Sequence, residues 1–177
     1  SHSIDLHRVD HIDFDHFVFT NLSQDHLDYH GTIDEYFEVK SRLFNPAYRK
    51  IFGGRSAIIN LDDDFGKKLH KMTDLDKVSY SINDKNADIR ASDTKSSITG
   101  INMVLARKNK EDVEIRSSLC GVFNIYNILA AISTGFEIGI KKNSIIAGPE
   151  SMKGFGGRFE KIDHGPGPTV IVDYAHT

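Results

Sequence analysis

A chain of 177 residues is long enough for one domain with a hydrophobic core. Its 39% apolar and 27% charged residues are those of an ordinary soluble globular protein, and a net charge of -3 argues against general nucleic-acid binding. The single cysteine, Cys120, excludes an intrachain disulfide and fits a cytoplasmic protein; no apolar run approaches the roughly 18 residues of a membrane span.

The opening SHSIDLHRVDHIDFD is polar from its first residue and does not read as a secretory signal. The first 20 residues end in HFVFT, which predicts a short strand. NLSQDHLDYHG predicts a polar turn rich in possible ligands. Thr32 is placed to cap a helix from about Ile33 to Phe44, with Glu35 completing a capping box and Pro46 just beyond the end. SAIIN, Ser56 to Asn60, predicts a buried strand; DDDFGKKLHKM predicts a short helix and KVSYSI a second strand. Residues 87 to 120 change character. ADIRASDTK, SSITGINMVLA and DVEIRSS alternate and hold few good helix formers, which predicts an antiparallel meander. FNIYNILAAISTGFEIG returns to a helical period, with Ile125, Leu129, Ile132 and Phe136 on one face. KKNSIIAGPESM predicts another short helix, GFGGRFEKIDHGPGP a glycine-rich loop around a short strand, and TVIVD the last strand. This alternation predicts an α/β fold: a mostly parallel sheet with helices on its faces and a small antiparallel β insertion near residues 87–120. Both ends read as cut, because the chain opens without methionine and closes on a strand-like run with a polar tip.

Several residues carry possible chemistry. Ile33, Phe37, Lys40 and Phe44 follow helical spacing, so a lysine falls on an apolar stripe. Burial lowers a lysine pKa. Three outcomes are open: the ammonium snorkels to the surface, pairs with a carboxylate, or becomes a neutral amine that is nucleophilic or modified. Asp25, His26, Asp28 and His30 form either a divalent-metal site or a hydrogen-bonded turn; their spacing matches no dedicated zinc pattern. Neither G-x-x-x-x-G-K-S/T nor G-x-G-x-x-G occurs, and Gly66-Lys67-Lys68 is the nearest fragment of the first. Gly154, Gly156 and Gly157 before Arg158 are either a phosphate-approaching loop or a flexible connection. Asn124 and Asn127 share one face at a helix start, where amides cap the helix or read a base edge. Asp173 follows an apolar strand, at the carboxyl end where open α/β sheets bind ligands, or is a plain turn residue.

Read together, four blocks resemble the Mur ligase family. SHSIDLHRV resembles the family segment that follows its EVS tripeptide. FTNLSQDHLDYHGTIDEYFEVKSRLF resembles TNL-x-x-DHLDYHG and the lysine-bearing helix after it. CGVFNIYNILAA resembles the G-x-FN-x-x-N-x-x-AA helix, and GRFEKID with TVIVDYAHT resembles the GR-x-E and DYAHT signatures. They occur in the family's order over nearly the whole chain, and DHLDYHG points to the MurE branch. The resemblance implies a three-layer central ATPase domain over residues 1–177, truncated before its phosphate loop and ending at the hinge to a C-terminal domain. It implies an ATP-dependent amide ligase that adds the third amino acid to UDP-MurNAc-L-Ala-D-Glu through an acyl phosphate. Lys40 then falls on the family's carbamylated lysine and His26 on its magnesium-binding histidine. Asn124, Asn127 and Arg158 fall on nucleotide-contacting positions, Asp173 on the nucleotide-side hinge aspartate, and Arg8, with Ser1 beside it, on the substrate side. Mg2+, ATP and a CO2-derived carbamate on Lys40 are the implied cofactors, and Lys40, His26 and Arg158 the catalytic set. The partners implied are the UDP-MurNAc-dipeptide, an amino acid and the remaining N- and C-terminal domains, in a monomeric cytoplasmic enzyme with no nucleic acid and no membrane. The 177 residues alone are expected to be inactive. One departure is Gly156, which stands where family members usually carry proline. The alternatives are another Mur-related ligase, of folylpolyglutamate synthase or cyanophycin synthetase type, or a non-catalytic binding module of the same fold.

Overall fold

The computed structural model describes residues 1–23, 27–154, 156–157, 159–162, 165 and 168–174. The chain divides into two compact units, Ser1–Arg90 and Ala91–Thr177.

In the first unit, β1 (Phe14–Phe19), β2 (Gly53–Asn60) and β3 (Asp76–Ser81) are parallel neighbours. Phe17 stands opposite Ala57, Phe19 opposite Ile59, and Ile58 opposite Val78. β3 also pairs in parallel with the first residues of β4 (Ile89–Ser97), Tyr80 opposite Ile89 and Ser81 opposite Arg90. Parallel neighbours need crossovers rather than tight turns. The first crossover holds α2 (Leu27–His30), α3 (Ile33–Ser41), two 3₁₀ turns and α4 (Arg49–Phe52); the second is α5 (Asp64–Met72). A short α1 (His2–Asp5) precedes them. Alternation on β1 buries Phe17 and Phe19, while β2 buries Ser56 through Asn60 without a break, as strands inside parallel sheets do. Phe17, Phe19, Ala57 and Ile59 meet Tyr36, Val39, Phe44 and Leu69 in one apolar cluster. Helix α5 lies close because residue 66 is glycine: a Cβ there would stand 1.9 Å from the Asn60 carbonyl oxygen. Asp63 caps this helix, Oδ1 accepting from the N–H groups of Phe65 and Gly66 and Oδ2 from that of Leu22.

The second unit holds the rest of β4, then β5 (Gly100–Arg107), β6 (Val113–Ser117), α6 (Val122–Glu137) and α7 (Lys142–Ser151). β5 lies between β4 and β6. The β5–β6 pair is antiparallel, with Met103 opposite Ile115 and Leu105 opposite Val113. Ile101, Met103, Leu105 and Ile115 are buried, and α6 buries Ile125, Ile128, Leu129 and Ile132. β7 (Glu160–Ile162) and β8 (Val170–Val172) form a separate two-stranded antiparallel ribbon. The fold class is therefore the expected one, a mixed sheet with flanking helices.

Three local expectations change. Residues 87 to 120 are not wholly antiparallel, since β4 opens by pairing in parallel with β3. The helix from Ile33 ends at Ser41, where the Ser41 hydroxyl donates to the Glu38 carbonyl, and a 3₁₀ turn over Arg42–Phe44 follows. That tighter turn carries Phe44 into the core. The last strand does not extend the parallel sheet. Among the described residues no helix is long and apolar enough to cross a membrane.

Candidate functional site

In the first unit the site grows from α3. Thr32 and Glu35 close a capping box: Thr32 Oγ1 accepts from the Glu35 N–H at 3.2 Å, and Glu35 Oε2 accepts from the Thr32 N–H at 3.0 Å. One turn on, Tyr36 and Val39 point into the core, leaving Ile33, Phe37 and Lys40 only half-buried. The predicted apolar stripe is thus the edge of the buried face rather than its centre. Lys40 follows Tyr36 by four residues, and its Nζ lies over the Tyr36 ring, 4.9 Å from the centroid. The aromatic face attracts an ammonium group. Among the described residues no carboxylate forms a salt bridge with Lys40.

The Tyr36 ring is itself held. His30 stacks on it with centroids 4.8 Å apart and planes inclined by 17°, and His30 Nε2 is 2.9 Å from Ser1 Oγ. Tyr29 meets His30 edge to face at 4.7 Å and lies 4.0 Å from the His2 ring. The Tyr29 hydroxyl donates to Asp5 Oδ2 at 2.9 Å, and Arg42 Nη1 donates to Asp5 Oδ1 at 3.0 Å. The Tyr29 hydrogen bond, followed by that of Arg42, holds the Asp5 carboxyl below its ordinary value. The same bond raises the Tyr29 phenol. The positive charge of Arg8, which is exposed, acts on Tyr29 in the opposite sense. Ser1 and Lys40 are therefore joined through two rings, with Arg8 on the exposed side.

His26 and Asp25 lie outside the described residues. Among those described, no three His, Cys, Asp or Glu side chains converge as a metal site would require. A hard divalent cation takes oxygen ligands, and an ammonium group is not a ligand at all. Lys40 as it stands does not fit Mg2+; a carbamate on Nζ would supply the oxygens.

In the second unit the site grows from the start of α6. Gly121, at φ 88°, precedes the helix, and its N–H donates to Ser96 Oγ at 3.1 Å. Asn124 Nδ2 donates to the Cys120 carbonyl at 2.7 Å, and the exposed Asn127 donates through Nδ2 to Asn124 Oδ1 at 3.1 Å. The two amides thus brace each other and the turn before the helix; neither is the residue at the N-cap position, which is Gly121. Asn124 borders a cavity of 420 Å³ together with Ser118, Cys120, Gly154, Gly156 and Glu160. The glycine-rich segment therefore faces the asparagine helix. Glu160 Oε2 accepts from the Gly157 N–H at 2.7 Å, and the Gly157 carbonyl accepts from the Tyr174 N–H at 2.8 Å. Arg158 lies outside the described residues. Asp173 is exposed and directly follows β8, so it sits at the end of the antiparallel ribbon and not at the carboxyl end of a parallel strand.

The structure thus gathers Ser1 and Lys40 in one unit and Asn124 and Asn127 in the other, with Asp173 close in sequence to the Tyr174–Gly157 bond. Tyr36 and Asp5 were not singled out from the sequence, and Glu160 entered only as the last residue of the GR-x-E signature; His30 was, as a possible ligand or turn residue. Tyr36 was legible in principle, because it precedes Lys40 by one helical turn. The Asp5–Arg42 pair joins residues 37 apart and left no local signal.

A family model described as the Mur ligase middle domain matches residues 1–135. The UDP-N-acetylmuramoyl-L-alanyl-D-glutamate–2,6-diaminopimelate ligase of Fusobacterium nucleatum is 39% identical over 181 aligned residues, covering 100% of this chain and 35% of that protein. The ligase of the same name from Bacillus cereus is 41% identical, again over 100% of this chain and 36% of its own length. A solved structure of a ligase with this name superposes with a TM-score of 0.83 at 30% identity, covering 99% of this chain and 36% of that one. The chain spans about a third of the length of the curated relatives it matches.

Proposed function

Because the chain belongs to the Mur ligase middle-domain family, we propose that it is the ATP- and Mg2+-binding middle segment of a longer amide ligase that adds the third amino acid to UDP-MurNAc-L-Ala-D-Glu. The observation that carries this reading is the likeness of the whole chain, at 39% and 41% identity, to ligases named for that reaction. The substrate carboxylate takes a phosphoryl group from ATP, and the amino group of the incoming amino acid displaces phosphate from the acyl phosphate. Such a step gathers negative charge at one place and depends on fixed positive charge around it.

His26 and a carbamate on Lys40 would hold the magnesium ion, which offsets phosphate charge when bound. Ser1 and Arg8 contact the UDP-linked substrate. Asn124, Asn127, Arg158 and Asp173 contact the nucleotide, Asn124 already being fixed by its bond to the Cys120 carbonyl. The enzyme works as a cytoplasmic monomer. In the longer ligase, Lys40→Ala is expected to lower dipeptide-dependent phosphate release about 100-fold or more, with partial recovery on adding formate or acetate. Activity unchanged in Lys40→Ala sinks the carbamate; release of phosphate that ignores the UDP-linked dipeptide sinks the substrate assignment.

A further inference from the structure

Asp5 stands between Ser1 and Arg8, the two residues assigned to the substrate. Its carboxylate is used from both sides. Oδ2 accepts from Tyr29 at the end of α2, and Oδ1 accepts from Arg42, two residues past Lys40. Arg42 is committed to this partner: its side chain is only 22% exposed, and its Nε is buried without a hydrogen-bond partner. Its guanidinium also lies 6.0 Å from the Tyr48 ring centroid, which limits where it can swing. Tyr29, though exposed, lies against the rings of both His2 and His30, which also neighbour each other. One carboxylate thus ties three successive parts of the chain: the substrate-side segment, α2 and the end of the lysine helix.

We propose that Asp5 and Arg42 are positioning residues that lock the substrate-side segment 1–8 to the Lys40 helix, so that the bound dipeptide substrate is held at a fixed distance from the reaction centre. The inference rests on the function proposed above. Neither residue touches the reacting atoms. Each acts through others, Asp5 by placing Ser1 and Arg8 and Arg42 by fixing the end of α3. Misplacing a substrate group by about 1 Å costs on the order of 100-fold in rate, so a lock at this place sets how well substrate binding is used.

The test is made in the longer ligase with Asp5→Asn, which keeps the shape, Arg42→Leu, and the double variant. Each single change is expected to lower kcat about 10-fold and to raise KM for the UDP-linked dipeptide, while leaving KM for ATP within about twofold. The double variant is expected to be no worse than the worse single one, because both changes open the same lock. Arg42→Lys is expected to recover part of the loss. Amide hydrogen exchange in residues 1–8 is expected to quicken in both single variants. Losses that multiply in the double variant, equal rises in both KM values, or unchanged exchange in residues 1–8 overturn the proposal. A ligase that never releases phosphate in response to the dipeptide overturns the functional reading instead, and the exchange rates then still decide whether the lock exists.

Discussion

The fate of Lys40 shows what a single residue inherits from its neighbours. Helical spacing placed it among Ile33, Phe37 and Phe44; Ile33 and Phe37 do share its helix, while Phe44 stands on the 3₁₀ turn beyond. What spacing does not give is which side of the stripe faces the core. Tyr36 and Val39 take the buried positions, so Lys40 sits at the boundary with its ammonium on an aromatic face. Of the three outcomes open to this lysine from its pattern, the resting structure thus shows a fourth, cation on ring, which needs knowledge of where Tyr36 points. Glycine 66 offers a cleaner case at the same scale. The Cβ of Gly66→Ala would fall 1.9 Å from a backbone oxygen of β2, which cannot swing aside like a side chain. This change is expected to cost about 1–3 kcal/mol of stability, read from the midpoint of urea unfolding without change in slope. Leu69, fully buried beside it, is expected to cost about 2–5 kcal/mol when changed to alanine.

At the scale of the element, the ends matter more than the middles. The capping box at Thr32 and Glu35 was legible because it is a local pattern, and the structure contains both of its bonds. Thr32→Ala is expected to cost about 1 kcal/mol by freeing the first turn of α3, again by urea unfolding. The far end of that helix was not legible, since a 3₁₀ turn rather than a breaker residue closes it. The same limit applied to the last strand: TVIVD reads as a strand from its β-branched run, but nothing in five residues says which edge it joins. Its partner is the short β7, so the premise that placed Asp173 at a parallel sheet's carboxyl end is not met. Asp5 adds a pH dependence to α1. Its carboxyl is held below the ordinary value of 3.8, so its contribution to stability is complete above that value and is lost as pH falls through the lowered one. Asp5→Asn is expected to flatten the acid limb of a stability-against-pH curve below about pH 4 and to leave the neutral region without slope.

Over the whole molecule, parallel pairing in residues 1–90 and antiparallel pairing beyond it follow the change in composition near residue 87. The order of strands and helices was readable because each crossover has its own periodic segment between strands. The candidate site was readable as a set of residue types in order; its supporting contacts were not, because His30–Ser1, Asp5–Arg42 and Gly157–Tyr174 each join distant positions. The 177 residues include no G-x-x-x-x-G-K-S/T segment. As an isolated chain they are expected to give phosphate release equal to buffer with ATP, Mg2+ and the UDP-linked dipeptide present. Release above that background would place the phosphate grip within these residues.

The two bonds at Gly157 act as a rivet. Its N–H is fastened to Glu160 and its carbonyl to the Tyr174 N–H, so one glycine joins β7 to the chain after β8. The chain just past β8 is thereby held at the glycine turn directly, and not only through the 16 residues of chain between the two points, counting 158 to 173.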